Sequence, residues 1–503
     1  MIKQTTLWLL IGLGVLASEV EAKRSTQALF SEFELESPVT LTHPVMVLNV
    51  MQSPSQELVT LGVDDDGQRW LHVYSFNQQS SRYSNTQALA IPDKISRFDI
   101  SDKQSAGFQS LYFLDAKSVF EYDVSQNRLI KLFDTNTVFL SPTPDHISRG
   151  NFVIDLNEDG QDELLLPTFT TLNYFYRNQQ GGWQAQALPI KAHSIIDDNK
   201  VQFKLPTYHI VDTNGDGKKD IVIAKQGMLQ SFHQLPQGAV LTTAVAIKLA
   251  DDIAGLEWWY KRDATGSGLN QANLVYRHLT QLRDINNDSI TDMVVKSTKS
   301  SGVLDRENSY QIFIGTMDNG QLSFLDQPTS EIRAEGTLSG FELVDIDNDK
   351  KLEVALSGFD IGLSQIVGAL LSGSIDQDVY IFVMNEDGVF GEEPSVSKEV
   401  ELSFSLSSGQ TGNPLVKLAD VNGDNLKDLV LSTGTDKLKV YLATTGKRRF
   451  ERRALKYKTQ LPQDASVVEI ADLNGDGKDD MVLKYGRLDD AAMRKKIKVL
   501  MAK

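Results

Sequence analysis

Six stretches of the chain repeat one arrangement of oxygen-bearing side chains: DLNEDGQDE from Asp155, DTNGDGKKD from Asp212, DINNDSITD from Asp284, DIDNDKKLE from Asp345, DVNGDNLKD from Asp420 and DLNGDGKDD from Asp472. All six fit D-x-[ND]-x-D-x-x-x-[DE]. A loop curling round a hard cation can aim side chains at positions 1, 3 and 5 inward, offer a main-chain carbonyl at position 7 and close the shell with a carboxylate at position 9. Oxygen donors without His or Cys favour calcium over zinc or copper. Magnesium, which demands tight octahedral geometry and keeps its waters, matches less well.

The expectation is therefore up to six structural Ca2+ ions. The candidate metal ligands, with position 7 acting through its carbonyl, are Asp155, Asn157, Asp159, Gln161 and Glu163; Asp212, Asn214, Asp216, Lys218 and Asp220; and Asp284, Asn286, Asp288, Ile290 and Asp292. The other three loops offer Asp345, Asp347, Asp349, Lys351 and Glu353; Asp420, Asn422, Asp424, Leu426 and Asp428; and Asp472, Asn474, Asp476, Lys478 and Asp480. Position 6 needs a sharp turn that suits glycine, present as Gly160, Gly217 and Gly477. Asn425 tolerates that conformation, and Ser289 and Lys350 less readily. Occupancy is expected foremost at Asp212, Asp472 and Asp155, and least at Asp284 and Asp345.

An EF-hand needs its glutamate at position 12 and a helix on each side. Here position 9 is followed instead by LLLP, IVIA, MVVK, VALS, LVLS and MVLK, and NFVI, YHIV, FELV and VVEIA precede position 1. Such runs form strands, so each motif is expected to turn a β-hairpin.

Six such loops in order, each flanked by strands, resemble the FG-GAP or VCBS repeat family, whose calcium loops lie between the first two strands of a β-propeller blade, as in integrin α head domains. The resemblance covers nearly the whole chain after the leader and implies an all-β fold, a single β-propeller. Two further copies keep the hairpin without the ligands. One places Asn49, Met51, Ser53 and Glu57 at positions 1, 3, 5 and 9, and the other starts at Asp99. Eight starts spaced by about 60 residues favour eight blades, with seven if one degenerate copy is decorative. The last repeat has room for only three strands, and Phe33 and Leu35 in FSEFELE could supply the fourth, hiding an open edge.

Lys3, the apolar stretch Leu7 to Leu16 and Val20-Glu21-Ala22 read as a signal peptide over residues 1–22, leaving 23–503 as the propeller with insertions near 229–275 and 357–376. The apolar stretch is too short to span a bilayer. With no cysteine, no disulfide or thiolate site is available. Export without cysteine points to a bacterial envelope protein, periplasmic, on the outer surface or secreted. The net charge is −17; without residues 1–22 it is −16, and the six nonapeptides together carry −16. The acidity is thus a ligand inventory, and with no basic stripe, nucleic acid is not an expected partner.

No nucleophile elbow, Walker loop, dinucleotide fingerprint or H-E-x-x-H motif occurs, and lone histidines such as His209 are ordinarily packed or exposed. Trp258, Trp259 and Tyr260 could form a sugar- or protein-binding platform on a loop, or alternate along a strand with two packed inside. Leu363, Ile366, Val367, Leu370 and Leu371 have helical spacing and could fold onto their own blade or dock a partner. The function expected is a protein- or glycan-binding or adhesion module at the cell envelope. The alternatives are a calcium-dependent, lyase-like carbohydrate-active enzyme and a structural scaffold of an envelope complex.

Overall fold

The computed structural model describes residues 29–503 except 52, 103–106, 140–144, 198–199, 262–267, 303–304, 335–336, 360–373, 406–409 and 447. The signal peptide and the Leu363–Leu371 segment lie outside the described residues. Among those described, no helix is long and apolar enough to cross a membrane.

Eight four-stranded antiparallel blades follow one another round a ring, each running from an inner first strand to an outer fourth. Blade one is Met46–Leu48, Glu57–Val63, Arg69–Asn77 and Arg82–Ile91; blade two is Arg97–Ile100, Leu111–Leu114, Ser118–Asp123 and Arg128–Asp134. Blade three is Val153–Ile154, Glu163–Pro167, Leu172–Arg177 and Trp183–Leu188; blade four is Tyr208–Val211, Asp220–Ala224, Met228–Phe232 and Val245–Lys248. Blade five is Leu274–Arg283, Asp292–Gly302, Asp305–Phe313 and Ser330–Ile332; blade six is Thr337–Val344, Glu353–Phe359, Ser374–Phe382 and Val396–Ser405. Blade seven is Val416–Ala419, Asp428–Thr433, Lys437–Tyr441 and Leu455–Lys458.

Blade eight takes Glu469–Ala471, Asp480–Lys484 and Lys496–Ala502 from the C-terminus and its outer strand, Phe30–Glu36, from the N-terminus. Phe33 lies opposite Val499 and Leu35 opposite Ile497. The clasp read from FSEFELE is therefore the one that closes the ring, and the edge it covers is the one a three-stranded blade would leave bare. Short hairpins branch off between blades three and four (His193–Asp197 with Lys200–Lys204) and within blade five (Gly315–Asp318 with Gln321–Phe324).

The apolar second strands explain how the blades stack. ELLLP, DIVIA and DMVLK are buried at every position, because each faces a neighbouring blade on both sides and has no solvent face to make polar. Eight apolar clusters fill the eight blade-to-blade interfaces, one each. The cluster joining blades eight and one holds Leu473, Val482 and Val499 against Val45, Leu58 and Tyr74, so the last interface is packed like the others. Outer strands, such as Arg82–Ile91, expose most of their residues. Each motif loop joins the first strand of a blade to its second, which gathers all six at one rim of the ring.

Candidate metal centre

The loops are built from the backbone outward. Position 4 and position 6 both take positive φ in all six: Glu158, Gly215, Asn287, Asn348, Gly423 and Gly475 at position 4, and Gly160, Gly217, Ser289, Lys350, Asn425 and Gly477 at position 6. The two left-handed residues fold the chain back so that the N–H of position 6 donates to one carboxylate oxygen of position 1, at 2.7 to 3.1 Å in all six loops. Ser289, at φ 68°, and Lys350, at φ 71°, make this bond as the glycines do. Their side chains add strain without preventing the turn.

Position 5 accepts from the N–H of position 7 in each loop, as Asp216 does from Lys218 at 2.9 Å and Asp476 from Lys478 at 3.0 Å. Position 3 caps the same turn: Asn214 Oδ1 accepts from the Asp216 N–H, and Asn474 Oδ1 from the Asp476 N–H, both at 3.0 Å.

Position 9 is buried throughout, and here the loops divide by side-chain length. All six accept the N–H of position 2, at 2.8 to 3.1 Å. Where position 9 is aspartate, its second oxygen accepts a backbone N–H beyond the third strand: Asp220 from Gln234, Asp292 from Gly315, Asp428 from Ala443, and Asp480 from Ala502 at the end of its third strand. These carboxylates stitch the loop to the rest of the blade. Where it is glutamate, the extra methylene carries the second oxygen back into the loop. Glu163 Oε1 there meets Asn157 Nδ2 at 3.2 Å, and Glu353 converges with Asp345 and Asp347, their carboxylate oxygens lying within 4.8 Å of one another.

Burial pushes these acids up: Glu163 to about 8, Glu353 and Asp480 to about 7, Asp292 and Asp428 to about 6, with neighbouring loop carboxylates adding to the effect. Asp155 and Asp220 are raised as well, chiefly by burial. Gathering carboxylates in a half-dry turn is costly without a counter-charge. Asp155 Oδ1, Asp345 Oδ1 and Asp347 Oδ1 are buried with no hydrogen-bond partner. Such orphaned oxygens, in an all-oxygen donor set, fit a hard divalent cation.

In the blade-six loop, Asp347 stands where the other five have asparagine, and the Arg449 guanidinium from blade seven pairs with its Oδ2. That loop, placed last by its Lys350 turn, is thus the one whose carboxylates come closest together among the described residues.

The two degenerate loops replace a cation with protein groups. Glu57, fully buried, accepts from the Val50 and Met51 N–H groups at 3.0 and 3.1 Å and from the Ser53 hydroxyl at 2.7 Å. Asp99 accepts from the Phe152 and Val153 N–H groups of blade three and from Arg149.

On the opposite rim a cavity of about 650 Å3 opens between blades four and five, with Lys191, Lys225, Lys261 and Arg277 in its wall. These residues were not legible as a group, because they come from four separate segments. Trp258–Tyr260 borders the cavity as a single 3-10 turn, neither a strand nor an open loop. Trp258 is buried, Trp259 is 44% exposed, and Tyr260 is held by its carbonyl, which accepts from His193 Nε2 at 3.2 Å.

Comparison with known proteins places this geometry. Residues 420–483, from the first residue of the blade-seven loop into the second strand of blade eight, match the FG-GAP-like repeat family model. No curated protein matches the chain in sequence. Among solved structures, an Agrocybe aegerita lectin described as recognising non-reducing terminal N-acetylglucosamine is 14% identical, with 83% of this chain and 95% of that chain covered and a TM-score of 0.44. Saccharomyces cerevisiae Sqt1 is 12% identical, with 93% and 100% covered and a TM-score of 0.38. The WD40 domain of SCAP from fission yeast is 10% identical, with 94% and 98% covered and a TM-score of 0.35. This chain is accordingly an eight-bladed β-propeller that carries an FG-GAP-like repeat.

Proposed function

We propose that the protein is an exported calcium-binding β-propeller that serves as a protein- or glycan-binding module at the bacterial cell envelope. The observation that carries the calcium reading is the convergence of Asp345, Asp347 and Glu353, with Asp345 Oδ1 and Asp347 Oδ1 buried and unpartnered. The same backbone frame recurs in the other five loops. A bound cation supplies charge neutralisation and a crosslink between first and second strands. The chain's own residues do the rest: positions 4 and 6 fold the turn, position 9 anchors it, and the opposite rim keeps its connectors for a ligand.

The binding role follows from a rigid ring whose acids are committed to the loops at one rim, while the other rim holds a cavity within the roughly 300–1,000 Å3 range of small-molecule sites. Export is supported by Lys3 and the apolar Leu7 to Leu16 stretch. The test is a calcium titration of the purified protein followed by glycan and protein arrays with and without chelator. Bound calcium, a higher melting temperature and at least one calcium-dependent partner are expected. Identical melting with calcium and with chelator, or arrays blank in both conditions, would overturn the reading.

A further inference from the structure

We propose that the cavity between blades four and five takes a carboxylate-bearing sugar unit of an acidic glycan, which rests on the binding reading above and names its ligand class. The chain as a whole is at −17, yet this cavity is lined by Lys191, Lys225, Lys261 and Arg277 against Asp252. Arg277 is held by Asp251 at 3.3 Å. Lys191 and Lys225 form no ion pair with a carboxylate among the described residues. Cations concentrated in a concave, low-dielectric wall focus a positive potential there, which selects for an anion.

The wall is preformed. A Cβ on Gly255 would lie 2.5 Å from the Ala224 carbonyl oxygen, so only glycine lets the connector into blade five pack on the end of blade four's second strand. Gln226, in the turn that follows, is held at φ 47°, a strained conformation fixed by the fold and not by a ligand. Pro189 and Pro206 stiffen the other side and give the floor apolar surface.

A sugar ring, and not a bare anion, is indicated by the border of the cavity. Lys261 lines the wall and is the residue directly after the Trp258–Tyr260 turn, which His193, also in the wall, fastens to the cavity edge. Trp259 there leaves 44% of its surface to solvent, an aromatic face of the kind on which the C–H side of a pyranose stacks. Lysines against a ring carboxylate and an indole beside the ring are the two halves of acidic-sugar recognition. A free phosphate would use the first half alone.

The experiment is calorimetric titration of the calcium-loaded protein with the trimer of galacturonic acid, its methyl ester and inorganic phosphate. The acid trimer is expected to bind, its ester at least tenfold more weakly, and phosphate without competing. Lys191→Gln with Lys225→Gln should weaken the trimer at least tenfold while leaving calcium content and melting temperature unchanged, and Trp259→Ala should weaken acid and ester alike. Equal binding of acid and ester, no binding of the trimer, wild-type affinity in the lysine double variant, or competition by phosphate overturns the proposal. If the arrays then show a calcium-dependent partner that the lysine double variant still binds, the binding-module reading stands and only the site and ligand class fall. Blank arrays take both.

Discussion

The backbone N–H of Lys427, position 8 of the blade-seven loop, donates to the carbonyl of Ile346, position 2 of the blade-six loop, at 2.8 Å. The same bond joins Leu352 to Ile285 at 2.9 Å and Gln56 to Leu473 at 3.2 Å, and the Asp479 N–H reaches the Asp420 carbonyl at 2.6 Å. Between blades five and four, the Thr291 hydroxyl donates to the Asp212 carbonyl at 3.0 Å. The loops of blades four to eight and one are therefore linked, one to the next, along one rim. Position 2 is also the residue whose N–H the buried position-9 carboxylate holds, so any ordering of a loop by a cation is felt at the carbonyl its neighbour uses.

Calcium should consequently bind with positive coupling between neighbours. Asp345→Ala empties the blade-six loop and should weaken calcium at the remaining sites by about two- to tenfold, the scale of ordinary coupling free energies. Stepwise native mass spectrometry or calorimetry reads this directly. Remaining sites with wild-type affinity would show that the links are only mechanical.

Arg449 should act as a built-in competitor. Its guanidinium sits on Asp347 in the loop where Asp345, Asp347 and Glu353 converge, and Asp347 is only 13% exposed, so the pair is poorly screened. Arg449→Met removes a positive charge from beside the cation and should raise calcium affinity at that loop on the order of tenfold. The calcium-free protein should be destabilised by the same change, because the carboxylates lose their one guanidinium. Lower affinity in the variant would mean that Arg449 orders the ligands more than it repels the ion.

The six copies of D-x-[ND]-x-D-x-x-x-[DE] made the hairpins and the blade count legible because a cation loop demands fixed residue types at fixed spacing, and Phe33 and Leu35 revealed the clasp by their alternation. What spacing could not show was reach. Asp292 and Glu353 occupy the same position and look interchangeable, yet one methylene decides whether the second oxygen is drawn to the Gly315 N–H or returned towards Asp345. The cavity was hidden for another reason: Lys191, Lys225, Lys261 and Arg277 belong to four segments that meet only once the ring closes. Trp258 to Tyr260 form a 3-10 turn, a conformation with no alternation to detect in three residues.

Closure of the ring should carry a large share of stability through one side chain. Phe30 is 1% exposed in the cluster between blades seven and eight and meets Tyr457 edge to face at 5.3 Å. Phe30→Ala removes that ring and leaves a cavity, at a cost of about 3–5 kcal/mol. Chemical denaturation in saturating calcium should show the full loss. A cost under about 1 kcal/mol would mean that the N-terminal strand is a cover and not a clasp.

His43 should make the protein acid-sensitive at a place far in sequence from any calcium loop. It is buried, stacks on His146 with ring centroids 4.2 Å apart, and its Nε2–H donates to the Ile147 carbonyl at 2.6 Å while Nδ1 accepts the Thr42 hydroxyl at 2.8 Å. Burial first, then the neighbouring His146, lowers its pKa from 6.5 to about 4. The unfolded chain therefore binds a proton that the folded one refuses, and the stability this residue contributes, whole above pH 6.5, is lost as pH falls through about 4. The full loss is on the order of 3 kcal/mol. Gln in its place can keep the bond to Ile147 without titrating, so the stability difference between His43→Gln and wild type should shift in the variant's favour between pH 6.5 and 4. Measuring that difference, and not the wild-type curve alone, removes the opposing trend of the raised loop carboxylates, which are common to both proteins. A difference that stays flat across the window would mean that the imidazole finds a proton partner in the folded state.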